Sequence, residues 1–421
     1  MTKPATAALL FTGTELLRGK QNTYTPLLAA KLLPLGLPPA AAVTLPDDRK
    51  AIAAALKNAL KEHALTVVVG GLGPTFDDLS REAASDALKL PLHQHPEALR
   101  AIEERFRKLG RVMTENNKRQ AYLLKGATLL ENPNGTAPGQ FFVRGTGAKK
   151  RALALLPGPQ KEWEPMFAAV VEPLIKKHFP PCGAQYSVRM ALAGIGESAA
   201  EEKIRPVLDR HPATEFTILS APGEVRLFAS GTERDPETAR HLGAKISAEF
   251  RAAIGEAVYS DSGEPLPAVI GTLLRRRGWM LATAESCTGG MVSDRITAVP
   301  GSSDYFAGGV VAYANELKVK VLGVKPVTLM KHGAVSSECA LEMALGARKR
   351  LEADCAVSIT GIAGPGGGSA EKPVGLVYIA VSVKGRLPVC KRFNFSGSRD
   401  SIKAYSSASA FTLLYQELKS I

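Results

Sequence analysis

The stretch WMLATAESCTGGMVSDRITAV, from Trp279 to Val299, contains the change of pattern that decides the fold of this chain. Its apolar beginning, WMLATA, predicts a β-strand, and its later part, GGMVSDRITAV, predicts a helix. Ser286 lies at the junction, where the first N–H groups of a helix lack partners within the helix. A strand that leads directly into a helix is the repeating unit of an α/β domain.

The same alternation recurs along most of the chain and predicts an α/β protein of three domains. Residues 1–175 alternate between strand-like and helix-like patterns, which is typical of a doubly wound parallel sheet. Residues 183–258 predict a small α+β connector, and residues 262–421 predict a separate α/β domain. The boundaries are set by two stretches rich in proline and glycine, HFPPCGAQ and SDSGEPLP.

The composition is that of a globular protein without a membrane span. The 421 residues are 45% hydrophobic and 22% charged, and no apolar run reaches the length of a membrane helix. We therefore expect no membrane association. The net charge of +13 is spread over short clusters such as 275–277 and 348–350, so nucleic-acid binding does not follow from it.

The cysteines indicate the redox environment. They are odd in number and include no C-x-x-C pair, which favours reduced thiols in a cytoplasm over a disulfide framework. They are Cys182, Cys287, Cys339, Cys355 and Cys390.

Ser286 has two interpretations at this stage. The unpaired N–H groups beside it can stabilise an oxyanion or a phosphate, and the neighbouring Gly289 and Gly290 permit close approach of a substrate. Alternatively, Ser286 or Thr288 only caps the helix. Cys287 is a rival nucleophile, although free cysteines are commonly small buried residues.

A nucleophilic serine needs a base. The last domain contains one histidine, His332, in a segment that resembles a loop, and this disfavours a Ser-His-Asp triad. The segment GGVVAYANELKVKVLGV supplies Tyr313 and Lys318 instead, and burial would lower the pKa of such a lysine toward a useful range. Lys320 is equally eligible by composition, and a surface lysine on an amphipathic helix is the alternative for both.

A second glycine-rich loop, SITGIAGPGGGSAEKPVG, follows a predicted strand and places Thr360 and Gly361 at the end of that strand. Ligands of open α/β sheets bind at such strand ends, and clustered N–H groups suit phosphate or carboxylate. Arg399, in FSGSRDSIK, lies beside a predicted helix start. It either clamps a phosphate or pairs with a surface carboxylate.

The first domain has a glycine-rich turn of its own, VVVGGLGPTFDDLSREA, which begins at Val67. Gly71 and Gly73 allow a phosphate to approach the backbone. Asp77 and Asp78 either bind a divalent cation or a ribose hydroxyl, or cap the following helix.

The chain from about residue 265 to its end resembles the C-terminal domain of the competence/damage-inducible CinA family. The segments that carry the resemblance follow in the family's order: AESCTGG, PGSSDYFAGGVVAYANELKVKVLGV, HGAVSSECALEMALGAR, ITGIAGPGGG and KPVGLVYIAV. The resemblance implies an amidohydrolase that converts nicotinamide mononucleotide to nicotinic acid mononucleotide and ammonia, without a metal or other cofactor. It also implies a homodimer.

The resemblance implies roles for individual residues as well. Ser286 is the nucleophile and Lys318 its base, with Tyr313 assisting. The main-chain donors from Thr288 to Gly290 would hold the oxyanion. The implied substrate-binding residues are Thr288, Gly289, Gly290, Thr360, Gly361 and Arg399. This chain has Ala314 where the family usually has serine, and Lys403 where it often has arginine.

GTELLRGKQNT, GGLGPTFDD, NNKRQA, NPNGTAPG and LPGPQKEW resemble the N-terminal half of the same family. That half is similar in fold to molybdopterin-binding proteins and, in some members, is a metal-dependent ADP-ribose pyrophosphatase. The resemblance implies a nucleotide site with a divalent metal at the paired aspartates. Its residues are Glu15, Asn22, Gly71, Gly73, Asp77 and Asp78.

The N-terminal half also departs from the family pattern. The family commonly has LLLGQ where Arg18 and Lys20 occur, asparagine at Tyr24, histidine at Phe76 and proline at Gln160. Loss of a histidine beside paired acids would weaken metal chemistry. The connector resembles a KH-like module, but its GIGES is only weakly similar to a backbone-clamping loop, so RNA binding is not expected.

Three functions fit these observations. The first is a bifunctional hydrolase of nicotinamide mononucleotide and ADP-ribose. The second is an amidohydrolase whose first domain only binds a pterin or a nucleotide. The third is a non-enzymatic scaffold for competence or DNA-repair partners. Ammonia release separates the first two from the third, and metal-dependent AMP release separates the first from the second.

Overall fold

The computed structural model describes residues 5–180 and 183–421, so Cys182 lies outside the described residues. The chain forms two compact units, Met1–Gln185 and Tyr186–Ile421. No helix in the described ranges is long and apolar enough to cross a membrane.

Strands and helices alternate over residues 7–124 of the first unit, as the sequence predicts, but three further strands then follow without an α-helix between them. The strands are β1 Ala7–Thr12, β2 Pro39–Leu45, β3 Leu65–Val69, β4 Leu92–Gln94, β5 Tyr122–Leu124, β6 Thr128–Leu130, β7 Gly139–Arg144 and β8 Arg151–Leu156. The helices are α1 Thr14–Leu17, α2 Tyr24–Leu32, α3 Arg49–Glu62, α4 Ser80–Leu88, α5 Pro96–Lys108, α6 Gln160–Met166 and α7 Glu172–His178. A π-helical turn, Phe167–Val171, joins α6 to α7.

Within residues 5–180 the main sheet has the strand order β2-β1-β3-β8-β7-β6. β2, β1, β3 and β8 run parallel, and β7 and β6 continue the sheet antiparallel. The apolar side chains of β1 alternate between two cores. Phe11 packs with α2 on one face, and Leu10 packs with α3 on the other. Helices cover both faces, which confirms the doubly wound fold.

The start of α3 shows how local sequence fixes an element. Asp48 caps this helix by accepting the N–H of Ala51 at 2.7 Å. The neighbouring Asp47 accepts the N–H of Thr14 at 2.8 Å. One aspartate therefore begins the helix and the other ties the turn after β1 to it.

The second unit begins with the connector. Its elements are β9 Ala184–Ala193, α8 Glu197–Arg210, β10 Glu215–Ala221, β11 Glu224–Glu233, α9 Pro236–Ile254 and β12 Val258–Ser260. The sheet order is β10-β11-β9-β12 in the described part of the connector. The predicted order of strand, helix, strand, strand and helix is confirmed. The short β12 was not predicted.

The C-terminal domain completes the second unit. Its elements are α10 Leu266–Arg277, β13 Leu281–Glu285, α11 Met291–Thr297, β14 Phe306–Val311, α12 Asn315–Lys320, α13 Pro326–His332, α14 Ser337–Arg350, β15 Cys355–Gly361, β16 Leu376–Val383, β17 Val389–Asn394 and α15 Arg399–Lys419. The sequence did not predict β17, whose polar residues hide the alternation of a half-buried edge strand.

The C-terminal sheet has the order β14-β13-β15-β16-β17 across residues 262–421. β13 runs parallel to β14 and β15, whereas β16 runs antiparallel to both of its neighbours, β15 and β17. α10 and α15 pack on one face, and α14 packs on the other. The carboxyl ends of β13, β14 and β15 meet at one edge, where open α/β sheets bind ligands.

Candidate active site

Ser286 lies directly after β13, at the edge where the three parallel strands end. Its side chain is largely buried, and its N–H donates to the carbonyl oxygen of Ile359 in β15 at 3.0 Å. α11 begins after Gly290, whose φ of 101° is in the left-handed region, so the N-cap position has no side chain and neither Ser286 nor Thr288 occupies it. The interpretation of Ser286 or Thr288 as a helix cap is therefore wrong.

The first amides of α11 are bound by Glu285, a residue that the sequence analysis missed. Its side chain is 1% exposed. One carboxylate oxygen accepts the N–H groups of Gly290 and Val292, at 2.9 and 3.1 Å. The other accepts the N–H of Ser293 at 2.9 Å and its hydroxyl at 2.8 Å. The only signal in the sequence was an acidic residue at the end of an apolar strand.

These contacts change the set of donors beside Ser286. The N–H of Gly290 is bound to Glu285, and the N–H of Gly289 donates to the carbonyl oxygen of Ser286 at 3.2 Å. The expectation that donors from Thr288 to Gly290 face a substrate is therefore wrong for both glycines. The N–H groups of Cys287 and Thr288 donate to no other residue among those described. Gly289 and Gly290 serve the turn through their positive φ angles.

Lys318 is 1% exposed although it lies on a short helix. Its ammonium donates to the carbonyl oxygens of Ala312 and Tyr313, both at 2.9 Å. The N–H of Ala312 in turn donates to the carbonyl oxygen of Glu285 at 2.8 Å. The lysine is therefore fastened to the strand end that precedes Ser286. Burial lowers the pKa of the Lys318 ammonium from its ordinary value.

The other candidate bases are placed differently. Lys320 is exposed on the opposite side of α12. His332 lies at the end of α13, nearly half exposed, with Nδ1 3.7 Å from a carboxylate oxygen of Glu338. Among the described residues no hydrogen bond joins the Ser286 hydroxyl to a lysine, a histidine or a tyrosine. Of these bases, Lys318 is the one held against the turn.

Cys287, the rival nucleophile, is buried. Burial raises the pKa of its thiol to about 12, and the charge of Glu285 acts in the same direction. The charges of Arg399 and Lys318 oppose this shift, so both cations lie near the thiol. A thiol in this state is protonated at neutral pH and is a poor nucleophile.

Tyr313 and Arg399 come together at the surface of this edge. The guanidinium of Arg399 donates to the hydroxyl of Tyr313 at 3.2 Å and to the carbonyl oxygen of Gly364 at 2.7 Å. Tyr313 is 61% exposed. The arginine thus links the segment after β14 to the glycine-rich loop after β15.

Thr360 and Gly361 have mainly structural surroundings. The hydroxyl of Thr360 is buried and donates to the carbonyl oxygen of Ala334 at 2.8 Å. A Cβ at Gly361 would lie 2.7 Å from the carbonyl oxygen of Leu376 in the next strand. Glycine is therefore needed there for close approach of two strands. Both residues stay predicted substrate-binding positions by location only.

In the first unit, the glycine-rich turn after β3 carries open donors. The N–H groups of Gly71, Leu72 and Gly73 have no partner among the described residues. The side chain of Arg81 is 1% exposed, and its guanidinium donates to the carbonyl oxygens of Leu72 and Gly73. This arginine, which was not among the predicted site residues, fixes the turn with its amides unpaired.

Asp77 and Asp78 do not cap α4, whose N-cap is Leu79 without a side-chain hydrogen bond. Both carboxylates instead accept the hydroxyl of Thr75, and Asp78 also accepts its N–H at 2.9 Å. Within residues 5–180 and 183–421 there is no group of three or more His, Cys, Asp or Glu residues that could hold a metal ion. The loop therefore offers two carboxylates and no larger ligand set.

Glu15 and Asn22 make other contacts. Glu15 pairs with Lys20 at 3.2 Å, and both side chains are more than half exposed. Asn22 accepts the N–H of Tyr24 at 3.0 Å. Each of these two candidate residues therefore has a local partner in place of a contact with the paired aspartates.

Three family models together match most of the chain. The "CinA C-terminal domain" matches residues 263–418, the "Probable molybdopterin binding domain" matches residues 8–177, and the "Damage-inducible protein CinA KH domain" matches residues 188–260. A "Putative competence-damage inducible protein" of Moorella thermoacetica is 43% identical over 98% of this chain and 99% of its own length. The chain belongs to the CinA family.

Two further relatives agree. A protein of the same name from Halothermothrix orenii is 41% identical over 98% of both chains, and a "CinA-like protein" of Dictyoglomus thermophilum is 37% identical over 97% of this chain and 98% of its own. The first unit is therefore a molybdopterin-binding-like domain, and the second combines a KH-like connector with the CinA C-terminal domain.

The structure shows the contacts of three residues at which this chain departs from the expected CinA pattern. Tyr24 stacks on Phe11 with ring centroids 5.6 Å apart, and Gln160 donates to Glu164 at 2.9 Å. Phe76, where histidine was expected, is 87% exposed on the loop that carries the paired aspartates. This side chain supplies no metal ligand.

Proposed function

We propose that the C-terminal domain hydrolyses the carboxamide of nicotinamide mononucleotide, with Ser286 as nucleophile and Lys318 as base. The observation that carries the proposal is the buried lysine. It is anchored to main-chain carbonyls beside the serine, on a turn that keeps two N–H groups unpaired. The site needs no cofactor for this reaction.

The hydrogen bonds of Lys318 leave one direction for chemistry. An ammonium has three N–H donors, and those donated to Ala312 and Tyr313 account for two of them. In the neutral amine, the two remaining N–H groups keep these bonds, and the lone pair takes the third direction. Desolvation lowers the pKa of Lys318 and so increases the neutral fraction. Such an amine can accept the proton of the Ser286 hydroxyl.

The reaction then follows in two stages. The Ser286 oxygen attacks the carboxamide carbon while Lys318 takes its proton, and the carbonyl oxygen becomes negative. The N–H groups of Cys287 and Thr288 are the donors open to this oxyanion. Lys318 returns the proton to the leaving ammonia, which leaves an acyl-enzyme. Water then hydrolyses that ester to nicotinic acid mononucleotide.

Arg399 supports a nucleotide as the substrate. Its guanidinium donates one hydrogen bond to Gly364 and one to Tyr313, and the side chain is otherwise exposed. Further N–H donors therefore remain for a phosphate. The hydroxyl of Tyr313 is hydrogen-bonded to this arginine. We therefore assign Tyr313 to substrate binding and not to proton transfer from Ser286. We propose further that the protein acts in the cytoplasm as a homodimer.

The test is ammonia release from nicotinamide mononucleotide by the full chain. We expect wild type to release ammonia and Ser286→Ala to lose this activity. Thr297→Ala, an exposed residue on the following helix, is the control and should retain it. A folded wild-type protein that releases no ammonia would favour the scaffold function.

A second activity is proposed for the first unit, where open amides and two carboxylates share one loop. Mg²⁺ is commonly held by one or two carboxylates together with substrate phosphates, and Asp77 and Asp78 provide that number. A bound divalent cation would neutralise phosphate charge, and the unpaired amides of Gly71 and Gly73 would donate to the phosphate oxygens. AMP release from ADP-ribose that requires Mg²⁺ and is lost in Asp78→Asn would support it. Absence of AMP release would leave a nucleotide- or pterin-binding domain.

A further inference from the structure

Glu285 is buried directly before Ser286, and its charge has no ionic partner. No Lys, Arg or His of the described residues forms an ion pair with it. Both carboxylate oxygens are instead occupied by hydrogen bonds from the start of α11. Burial of an uncompensated charge is costly, and a serine or aspartate cap would satisfy a helix start at lower cost. The placement therefore calls for a specific reason.

The carboxylate determines which amides of the turn remain open. It takes the N–H groups of Gly290, Val292 and Ser293. Gly289 and Met291 donate back to carbonyl oxygens within the turn. After these bonds, the only N–H groups without a partner in the described turn 286–293 are the two that directly follow Ser286.

We propose that Glu285 is a positioning residue that holds the turn so that the N–H groups of Cys287 and Thr288 form the oxyanion site for Ser286. The N–H of the residue after the nucleophile is the donor that serine hydrolases with a strand-turn-helix nucleophile use. The main chain of Glu285 also helps to place the base. Its carbonyl oxygen accepts the N–H of Ala312, and the carbonyl oxygen of Ala312 accepts a hydrogen bond from the Lys318 ammonium. One residue thus fixes the donors with its side chain and the base with its main chain. The proposal rests on the proposed amidohydrolase function.

Glu285→Gln tests it with nearly unchanged volume. One end of the amide can no longer accept an N–H, so at least one of the three helix amides loses its partner and the turn opens. A displacement of about 1 Å at a reacting group costs about 100-fold in rate, and we expect a loss of that size in kcat with KM within about threefold. Thr297→Ala, on the same helix but without contact to Glu285, should match wild type.

Ser293→Ala is the second variant. It removes the hydroxyl with its bonds to Glu285 and Thr283 and keeps all three amide bonds to Glu285, so kcat should fall by less than about tenfold at constant KM. This variant decides the question if Glu285→Gln does not fold. An unchanged kcat in a folded Glu285→Gln would overturn the proposal, and so would equal losses in Glu285→Gln and Ser293→Ala.

Amide hydrogen exchange separates this proposal from the proposed function. In wild type the N–H groups of Gly290, Val292 and Ser293 should be protected, and Glu285→Gln should accelerate their exchange while the remainder of β13 stays protected. Wild type without ammonia release would refute the amidohydrolase. Unchanged exchange in Glu285→Gln would refute the positioning role, whatever the activity.

Discussion

Replacement of Lys318 by methionine is the perturbation that bears most directly on the proposed chemistry. Methionine keeps an unbranched stem of similar length and removes the amine. A positioned general base contributes about 10²- to 10⁴-fold, so kcat/KM should fall by this factor, or by about 2.7–5.4 kcal/mol in barrier height. Lys320→Met is the matched control on the same helix. Because the side chain of Lys320 is exposed, the Lys320→Met protein should have the activity of wild type.

The stability of the Lys318→Met protein follows from two opposing terms. The ammonium loses two hydrogen bonds to buried carbonyls, each about 1.5–3 kcal/mol for a charged donor. Removal of a buried charge recovers a desolvation cost of several kcal/mol. The terms are of similar size, and we expect the thermal midpoint to move by less than about 5 °C. Calorimetry alongside the ammonia assay then separates lost chemistry from lost folding.

Lys318→Arg distinguishes a base from a fixed positive charge. Arginine keeps the charge and the donors but does not deprotonate in proteins, so it cannot accept the serine proton. We expect it to be as inactive as Lys318→Met. If Lys318→Arg retains more than about a tenth of wild-type kcat/KM, the base assignment is refuted, because general-base catalysis is worth at least 10²-fold.

The pH dependence gives a further check. Burial lowers the pKa of Lys318, and only the neutral amine accepts a proton. Activity should therefore fall as the pH falls below this lowered pKa, about tenfold per unit. Between the lowered pKa and the ordinary one, the unfolded chain binds more protons than the folded chain, so stability from this group rises as the pH rises through that window. A rate that is flat with pH down to acid conditions would contradict the base role.

Three other substitutions probe the surroundings of the site. Cys287→Ala should retain most of the activity, because a thiol whose pKa is about 12 is ionised in only about one molecule in 10⁵ at pH 7; abolished ammonia release would make the thiol the better nucleophile. Arg399→Lys should raise KM about tenfold with little change in kcat, since lysine cannot bridge to Tyr313 and bind a phosphate at once, and steady-state kinetics measures the split. Glu224→Gln weakens a buried contact between the connector and Arg295, in which the guanidinium lies 3.3 Å from the carboxylate of Glu224. We expect the free energy of unfolding of the second unit, measured by denaturant titration, to fall by about 1–3 kcal/mol. An unchanged denaturation midpoint would show that the contact is not stabilising.

Much of the fold was readable from local sequence because the central parallel strands are mainly apolar runs buried on both faces, as in LTVVV of β3 and CAVSITG of β15. The edge strand β17 and the three-residue β12 were not readable in this way. Their pairing is decided by partners distant in the chain, and short or polar strands carry little periodicity of their own. The prediction for α11 had the correct helix, but the wrong residues beside its first amides.

Apart from short or polar strands such as β12 and β17, the sequence alone determined the succession of strands and helices. It also determined the position of Ser286 at a strand-to-helix turn, and it offered two equally eligible lysines. Only the tertiary structure distinguished the lysines, because the two positions differ in which side of α12 faces the sheet edge: Lys318 is buried against Ala312, and Lys320 faces solvent. The partners of the turn amides were likewise decided in three dimensions. A carboxylate has no preferred hydrogen-bond partner in a sequence, and burial at the end of β13 is what directs Glu285 onto the start of α11 and leaves two donors open.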